Sequence, residues 1–334
     1  MAVSTTALSA YEQARYDADS ACVLPVNLLA VNTVSTARWT VGGKSTDTSY
    51  TITSLNKPGF RAYDNIGDLT TMMSGITAAT VYFNLKMGAA LPNFDTVVVY
   101  GHNFFLSGPK SVSASNSDVT HVHLEGSSDD FVSDTVILQT HAVTSDDLKA
   151  NIRIVFNDFA GSGSGPHVAQ NVTELRLRVV AGGTQTVVWY PSLGEIFVGS
   201  RRGFKASPSL PWAPYGDGAA SNFTDFISQS GAQSRYVFSK GQARREFKQT
   251  LNAYTGFDDD LNLWRDWYRL SDHGTNPFVY LHKQESAPTE NWLMSNEAAN
   301  LNAPLTGFNL HDGAMSWLEL PPFAMPERKP LDDS

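Results

Sequence analysis

Residues 94–104, FDTVVVYGHNF, are the stretch from which the fold can be read. Thr96 to Tyr100 is dense in β-branched and aromatic residues, Asp95 precedes it, and Gly101, His102 and Asn103 follow. A short apolar run stopped by turn residues is the mark of a strand buried on both faces. Downstream, residues 172–180 and 186–198 have a similar character and are the expected partners. Between Phe94 and Val198 apolar residues alternate with period two, and no amphipathic helix interrupts them. The central half of the chain is therefore expected to be a β-sandwich.

Working outward, residues 81–86 place Val81, Phe83 and Leu85 on one face and Tyr82, Asn84 and Lys86 on the other, a half-buried strand. Residues 120–125 send Val122 and Leu124 inward and His121 and His123 outward. In residues 172–180 the inward set is Leu175, Leu177 and Val179, and the outward set is Glu174, Arg176 and Arg178. Further strands are expected at 50–55, 135–140, 152–156, 187–190 and 195–198, the number that a jelly-roll sandwich requires. The glycine-serine run GSGSG at 161–165 reads as a flexible loop. Before the sandwich, residues 8–15 suit one or two helical turns, ended by Asp17 to Ser20. Residues 23–34 read as an extended edge segment, because Pro25 lacks the donor that a central strand needs.

Composition changes at Gly199. Residues 203–222, GFKASPSLPWAPYGDGAASN, are rich in proline and glycine and carry Trp212 and Tyr215. Aromatic residues in such a segment suggest an arm that docks on a neighbour. Beyond it, residues 235–238 and 244–254 read as strands joined by a Lys240-Gly241 turn. Residues 257–270 read as a helix, with Phe257, Leu261, Trp264 and Tyr268 on one stripe and Trp267 at its margin. Asp258, Asp259 and Asp260 fall in its first turn, where carboxylates cap free N–H groups. Strands at 277–281, 305–310 and 316–320 complete a small unit. The expected architecture is mainly β: a sandwich over 1–200, a Pro/Gly-rich arm over 201–222, and a smaller α+β module over 223–334 with one aromatic-rich helix.

With 334 residues the chain has room for two cores. Its net charge of -9 runs against a basic stripe for nucleic acid. Cys22 is the single cysteine, so no intrachain disulfide forms and folding in a reducing compartment is expected. The N-terminus lacks a basic region and a long apolar run, so no secretory signal is read, and no stretch approaches the ~20 apolar residues of a spanning helix.

No catalytic, phosphate-binding, dinucleotide or zinc motif is present in the sequence, and no enzymatic activity, cofactor or metal is expected. His121 and His123 share a strand face and would be the two nearest metal ligands, although a plain solvent-facing pair explains them as well. His102 is expected to make a local hydrogen bond in its turn. Asp64, Asn65 and Asp68 offer oxygen atoms, but their spacing suits an Asx-turn better than a calcium loop.

The run from Phe94 to Asn103, the strand at 120–124 with Glu125-Gly126-Ser127-Ser128-Asp129-Asp130 after it, and the closing strand at 193–199 resemble the galactose-binding-like or discoidin-type sandwich found in bacteriophage tail proteins. Residues 243–247, the aromatic helix and residues 274–280 resemble distal-tail or baseplate modules. This resemblance implies a structural virion protein, made in the host cytoplasm and placed in the tail as a homo-oligomeric ring beside other tail proteins. Trp212 and Tyr215 would then be its assembly anchors. The alternative is a carbohydrate-binding adhesin or a neck or fibre component, with Trp39 and Tyr63 as candidate platform residues for a host-surface sugar.

Overall fold

A computed structural model of the chain describes residues 2–31, 38–40, 71–72, 79–86, 90–100, 102, 104, 119–143, 153–182, 192–193, 195–204, 219–220, 223–227, 233–237, 244–255, 266–267, 269–270, 276–288, 291–296, 305–307 and 310–319. In chain order the elements are β1 (Ser4–Ala7), α1 (Ala10–Asp17), β2 (Cys22–Leu24), α2 (Leu28–Val31), β3 (Arg38–Thr40), β4 (Thr71–Met72), β5 (Thr80–Lys86) and β6 (Thr96–Tyr100). There follow β7 (Val119–Ser127), β8 (Thr135–Ala142), β9 (Arg153–Phe156), β10 (His167–Gln170), β11 (Glu174–Ala181), β12 (Ser192–Leu193), β13 (Glu195–Gly199) and β14 (Arg202–Gly203). The last are β15 (Ala219–Ala220), β16 (Phe223–Ile227), β17 (Gln233–Val237), β18 (Arg244–Thr255), β19 (Phe278–Leu281), β20 (Asn291–Asn296), β21 (Leu305–Gly307) and β22 (Leu310–Glu319). The chain is mainly β, and its ladders are antiparallel.

Contacts divide the described residues into two units, Met1–Ala14 with Asn27–Arg201, and Arg15–Val26 with Arg202–Ala324. In the first, β6 is buried at every position, as its run of branched residues predicts. It lies in the middle of a three-stranded sheet, β13-β6-β9, where it pairs Val97 with Phe156 and Val198, and Val99 with Ile154 and Ile196. These six side chains share one core with Val81, Phe83 and Leu85 of β5, Val122 and Leu124 of β7, and Leu175, Leu177 and Val179 of β11. Each such side chain contributes about 1.5–3 kcal/mol by leaving water. The second layer is the five-stranded sheet β3-β5-β11-β7-β8. Residues 172–180 thus do not pair with β6. They form the middle strand of the opposite sheet, because their inward leucines and valines and outward arginines suit a strand with one face on the core. The partners of β6 are β13 and β9.

Side chains fasten the ends of these layers. The Asn27 amide donates to the Ile196 carbonyl and to Glu195, and its oxygen accepts from the N–H of Val198 and of Leu29. One side chain thereby satisfies the outer edge of β13, which would otherwise present open backbone groups. Arg201, buried, forms an ion pair with Asp95 and donates to the carbonyls of Asp95 and Asn157, joining the ends of β6, β9 and β13.

The GSGSG run is not a passive loop. It wraps His167, whose ring nitrogens lie 3.2 Å from the carbonyls of Phe159 and Ser162. A Cβ at Gly161 would stand 2.3 Å from that ring, and Gly163 and Gly165 have φ of 115° and 89°. Glycine is required there by contact and by backbone conformation alike.

The second unit is built on the sheet β14-β2-β19-β20-β22-β18-β15. β2 is buried and pairs on both sides, with β14 and with β19, so residues 22–24 are not an edge. Pro25 stands just past the strand, and α2 follows. α1 runs as expected, with Ser9 capping the N–H of Glu12 and Asp19 ending it at a φ of 52°. β17 pairs with β16 rather than β18, and β18 takes β22 as its long partner, so among the described residues no hairpin joins 235–238 to 244–254. Within 257–270 the described residues 266, 267, 269 and 270 are helical. Trp267, placed by periodicity at the stripe's margin, is fully buried, with ring centroids 4.9 Å from Phe278 and 6.0 Å from Trp317. Phe257, Leu261, Trp264 and Tyr268 lie outside the described residues, and the aromatic residues Phe278 and Trp317 of the sheet bury Trp267.

Candidate functional site

The five-stranded sheet has one face on the core, and register fixes what the other presents. Tyr82 of β5 pairs with Arg178 of β11, Arg178 with His123 of β7, and His123 with Thr140 of β8. The next rung is Asn84, Arg176, Glu125 and Ile137, and the one on the other side is Thr80, Val180, His121 and Ala142. At ~4.8 Å between strands, each rung spans ~14 Å.

Glu125 is the fixed point of this face. It is buried, and its two oxygens accept from Arg176 Nε at 2.7 Å and Arg178 Nε at 2.6 Å. Arg176 is itself held between aromatic rings, with its Cζ 4.8 Å from the Tyr82 centroid and 4.0 Å from that of Phe131. Arg178 differs. Its side chain remains 26% exposed, and among the described residues its partner is Glu125, through Nε.

The histidine rings stack at 5.9 Å with 15° between their planes. Thr120 donates its hydroxyl to the Val180 carbonyl at 3.2 Å, so it accepts from His121 Nδ1 at 3.1 Å, which leaves Nε2 of a neutral ring as an acceptor. His123 shares a 2.7 Å hydrogen bond with Thr140 through Nδ1. Burial holds His123 below the ordinary imidazole value, and the Arg178 charge adds to the depression, while Glu125 pulls the other way. Both histidines face outward, as alternation predicts. Among the described residues no group of three His, Cys, Asp or Glu is placed to hold a metal ion.

Phe131 reaches Arg176 because of the loop after β7. The Asp129 carboxylate accepts from the N–H groups of Val132, Ser133 and Asp134 and from the hydroxyls of Ser127 and Ser133. These bonds hold Asp130 and Phe131 at φ of 63° and 57°, the left-handed region, and swing the ring over the sheet. Glu174 closes the loop's other side, accepting from the Thr173 hydroxyl and the N–H of Asp130.

His102 does what the sequence suggests. Its Nδ1 accepts from the N–H of Phe104 at 3.0 Å, and the ring stacks on Phe104. Trp39 lies on β3 opposite Leu85. Asp64, Asn65, Asp68, Tyr63, Trp212, Tyr215 and Asp258 to Asp260 lie outside the described residues, as do the strands expected at 50–55 and 187–190. Sequence reading missed Glu125 as the clasp between two arginines. The signal was its parity: Glu125 falls on the same strand face as His121 and His123, as Arg176 does with Arg178. Parity puts them on outward faces, but register alone brings those faces together.

No family model matches the chain, and no curated protein matches it. Among solved structures, a Ruminococcus gnavus GH29 fucosidase in complex with fucose is 12% identical, with 54% of this chain and 28% of that chain covered and a TM-score of 0.32. This chain thus spans little more than a quarter of that enzyme. A CBM32 module from a family 31 glycoside hydrolase of Clostridium perfringens is 16% identical over 44% of this chain and 86% of that one, with a TM-score of 0.24. An F5/8 type C domain from Bacteroides fragilis is 12% identical over 49% and 97%, with a TM-score of 0.25.

Proposed function

We propose that the first unit is a carbohydrate-binding module that works without catalysis, and that the outer face of its five-stranded sheet carries the saccharide. The observation behind this reading is the rung Tyr82, Arg178, His123 and Thr140. A saccharide offers hydroxyls that both donate and accept, spread over an apolar C–H surface. A surface that holds it needs fixed donors and acceptors at short spacing beside aromatic carbon. The rung supplies a phenol ring, a guanidinium, an imidazole and a hydroxyl on four adjacent strands. Arg178 and His123 are already oriented by Glu125 and Thr140, so little side-chain freedom is left to lose on binding.

Four carboxylates among the described residues are engaged within the fold, which favours binding over turnover. Glycoside hydrolysis needs one carboxyl that takes up and releases a proton beside the bond being broken. Glu125 is held by two guanidinium groups, Asp95 by Arg201, and Glu174 and Asp129 by hydroxyls and backbone N–H groups. The tail-ring role implied by resemblance draws on Trp212, Tyr215 and residues 257–270, most of which the structure does not describe.

Screening the full chain on a glycan array, followed by titration calorimetry, tests the proposal. At least one oligosaccharide should bind, and His123→Ala and Tyr82→Ala should each weaken it about threefold to tenfold, the worth of a lost hydrogen bond or contact. An array without a ligand, or a ligand indifferent to both substitutions, would overturn it.

A further inference from the structure

Resting on that reading, we infer that the saccharide is acidic and that one of its carboxylates sits on the outer nitrogens of Arg178. The charge balance of the face carries this. Two guanidinium groups meet one carboxylate there, Glu125. Arg176 is buried and enclosed by Tyr82 and Phe131, so the unbalanced charge lies at Arg178. Glu125 takes the Nε edge of Arg178, and no described residue takes the Nη edge. A guanidinium edge with two parallel N–H donors matches a carboxylate better than it matches a neutral hydroxyl.

Among the described residues, the groups paired beside Arg178 carry no competing negative charge. Tyr82 stands opposite on β5, His123 opposite on β7, and His121 one rung away. Glu174, two positions before Arg176 on β11, is held by the Thr173 hydroxyl and the N–H of Asp130. Among the described residues, the surroundings of the proposed carboxylate are thus a phenol, two imidazoles and the Thr140 hydroxyl. These complement the ring hydroxyls of a uronic acid rather than a bare inorganic anion.

A dependence on pH follows from the same geometry. His123 faces Arg178 on β11, Glu125 and His121 on β7, and Thr140 on β8. Burial first, and after it the Arg178 charge, disfavours the imidazolium form of His123. A carboxylate seated on Arg178 offsets that repulsion, so ligand binding favours proton uptake. By linkage, proton uptake favours the ligand. Affinity should therefore rise as pH falls through the imidazole range, until the uronate itself begins to protonate.

The test compares a β-1,4-linked glucuronate trisaccharide with cellotriose, which differs in carrying a hydroxymethyl group in place of each carboxylate. Calorimetry on the full chain should show the glucuronate binding at least ~10-fold tighter, the range of a charge-assisted bidentate contact. Arg178→Ala should bring the two ligands together, and Arg178→Gln, which keeps most of the side chain's length, should do the same. Glu125 keeps Arg176 in both variants, so the sheet retains its clasp. Titration from neutral pH downward should show glucuronate binding tighten below the ordinary imidazole value of ~6.5, and His123→Ala should flatten that dependence. Equal binding of both ligands, unmoved by Arg178→Ala, would overturn the inference and leave the saccharide reading standing. If acetate displaces the trisaccharide at equal concentration, the site is a simple anion pocket and the inference also fails. Failure of every saccharide to bind would remove the underlying reading along with it.

Discussion

A single carboxylate, Asp129, shapes the loop that brings Phe131 onto the sheet. Two consecutive residues in the left-handed region cost of order 1–3 kcal/mol each, and the hydrogen bonds to Asp129 offset that cost. The Ser133 hydroxyl is the leading cause that holds the Asp129 carboxyl well below the usual carboxylate range. Burial opposes it, and the N–H groups of Asp134 and Ser133 and the Ser127 hydroxyl add to the depression. The direction of the pH effect follows. A carboxyl that binds its proton more weakly when folded stabilises the fold fully above its unfolded value of ~3.9, and that contribution is lost as pH falls below it. Asp129→Asn should therefore lower the melting temperature at neutral pH, with the gap to the parent chain closing as the solution is acidified below ~4. Calorimetric scans across that range measure it. A gap that stays constant to the acid end would mean that shape rather than charge holds the loop.

At the level of elements, alternation was legible and pairing was not. β5, β7 and β11 show their inward valines and leucines locally, because period two is written in each strand by itself. Which strand lies beside which is decided by how two layers close over a core. Hence residues 172–180, which like β6 carry several branched apolar residues, belong to the other sheet, and β18 takes β22 across an intervening stretch rather than its neighbour in sequence. The same limit hid the clasp on the outer face, since Glu125 and the two arginines come from β7 and β11 and meet by register alone. Their coupling is testable as a property of that strand pair. Glu125→Ala would leave Arg176, with 8% of its side chain exposed, without its countercharge. Breaking such a pair from one side costs about 3–5 kcal/mol, more than a surface ion pair contributes. Urea unfolding should show a loss of that order for Glu125→Ala and a smaller one for Glu125→Gln, which still offers an acceptor. Equal and small losses would show the clasp to be incidental to the sheet's stability.

On the scale of the whole chain, the second unit is discontinuous, and this decides what happens when the backbone is cut. A change of composition near residue 200 was plain in the sequence, because proline and glycine punctuate it. That residues 22–24 belong beyond that change was not, since three residues are too few to show a period. β2 nevertheless pairs with β14 through Val23 and Cys22 and with β19 through Leu24, Val23 and Cys22, and its side chains are buried. Nearby, Asp19 accepts from the N–H groups of Glu285 and Ser286, and Gln284 donates to the Ser20 carbonyl at 2.7 Å. The polypeptide thus enters this unit, leaves to build the sandwich, and returns. A protease site placed between Phe204 and Ala219 would sever the chain while leaving β2 beside β19. The two pieces should then elute together on gel filtration and separate in denaturant, since the cut removes a covalent link but none of these contacts. A piece beginning at Ala219 and made by itself lacks the strand next to β19. It should show weaker protection from hydrogen exchange at Phe278 to Leu281 than the cut but associated chain, because edge pairing with water replaces a buried ladder. Should the pieces part without denaturant, or the lone piece protect β19 equally, residues 15–26 would be a covering segment and not a structural member of the second unit.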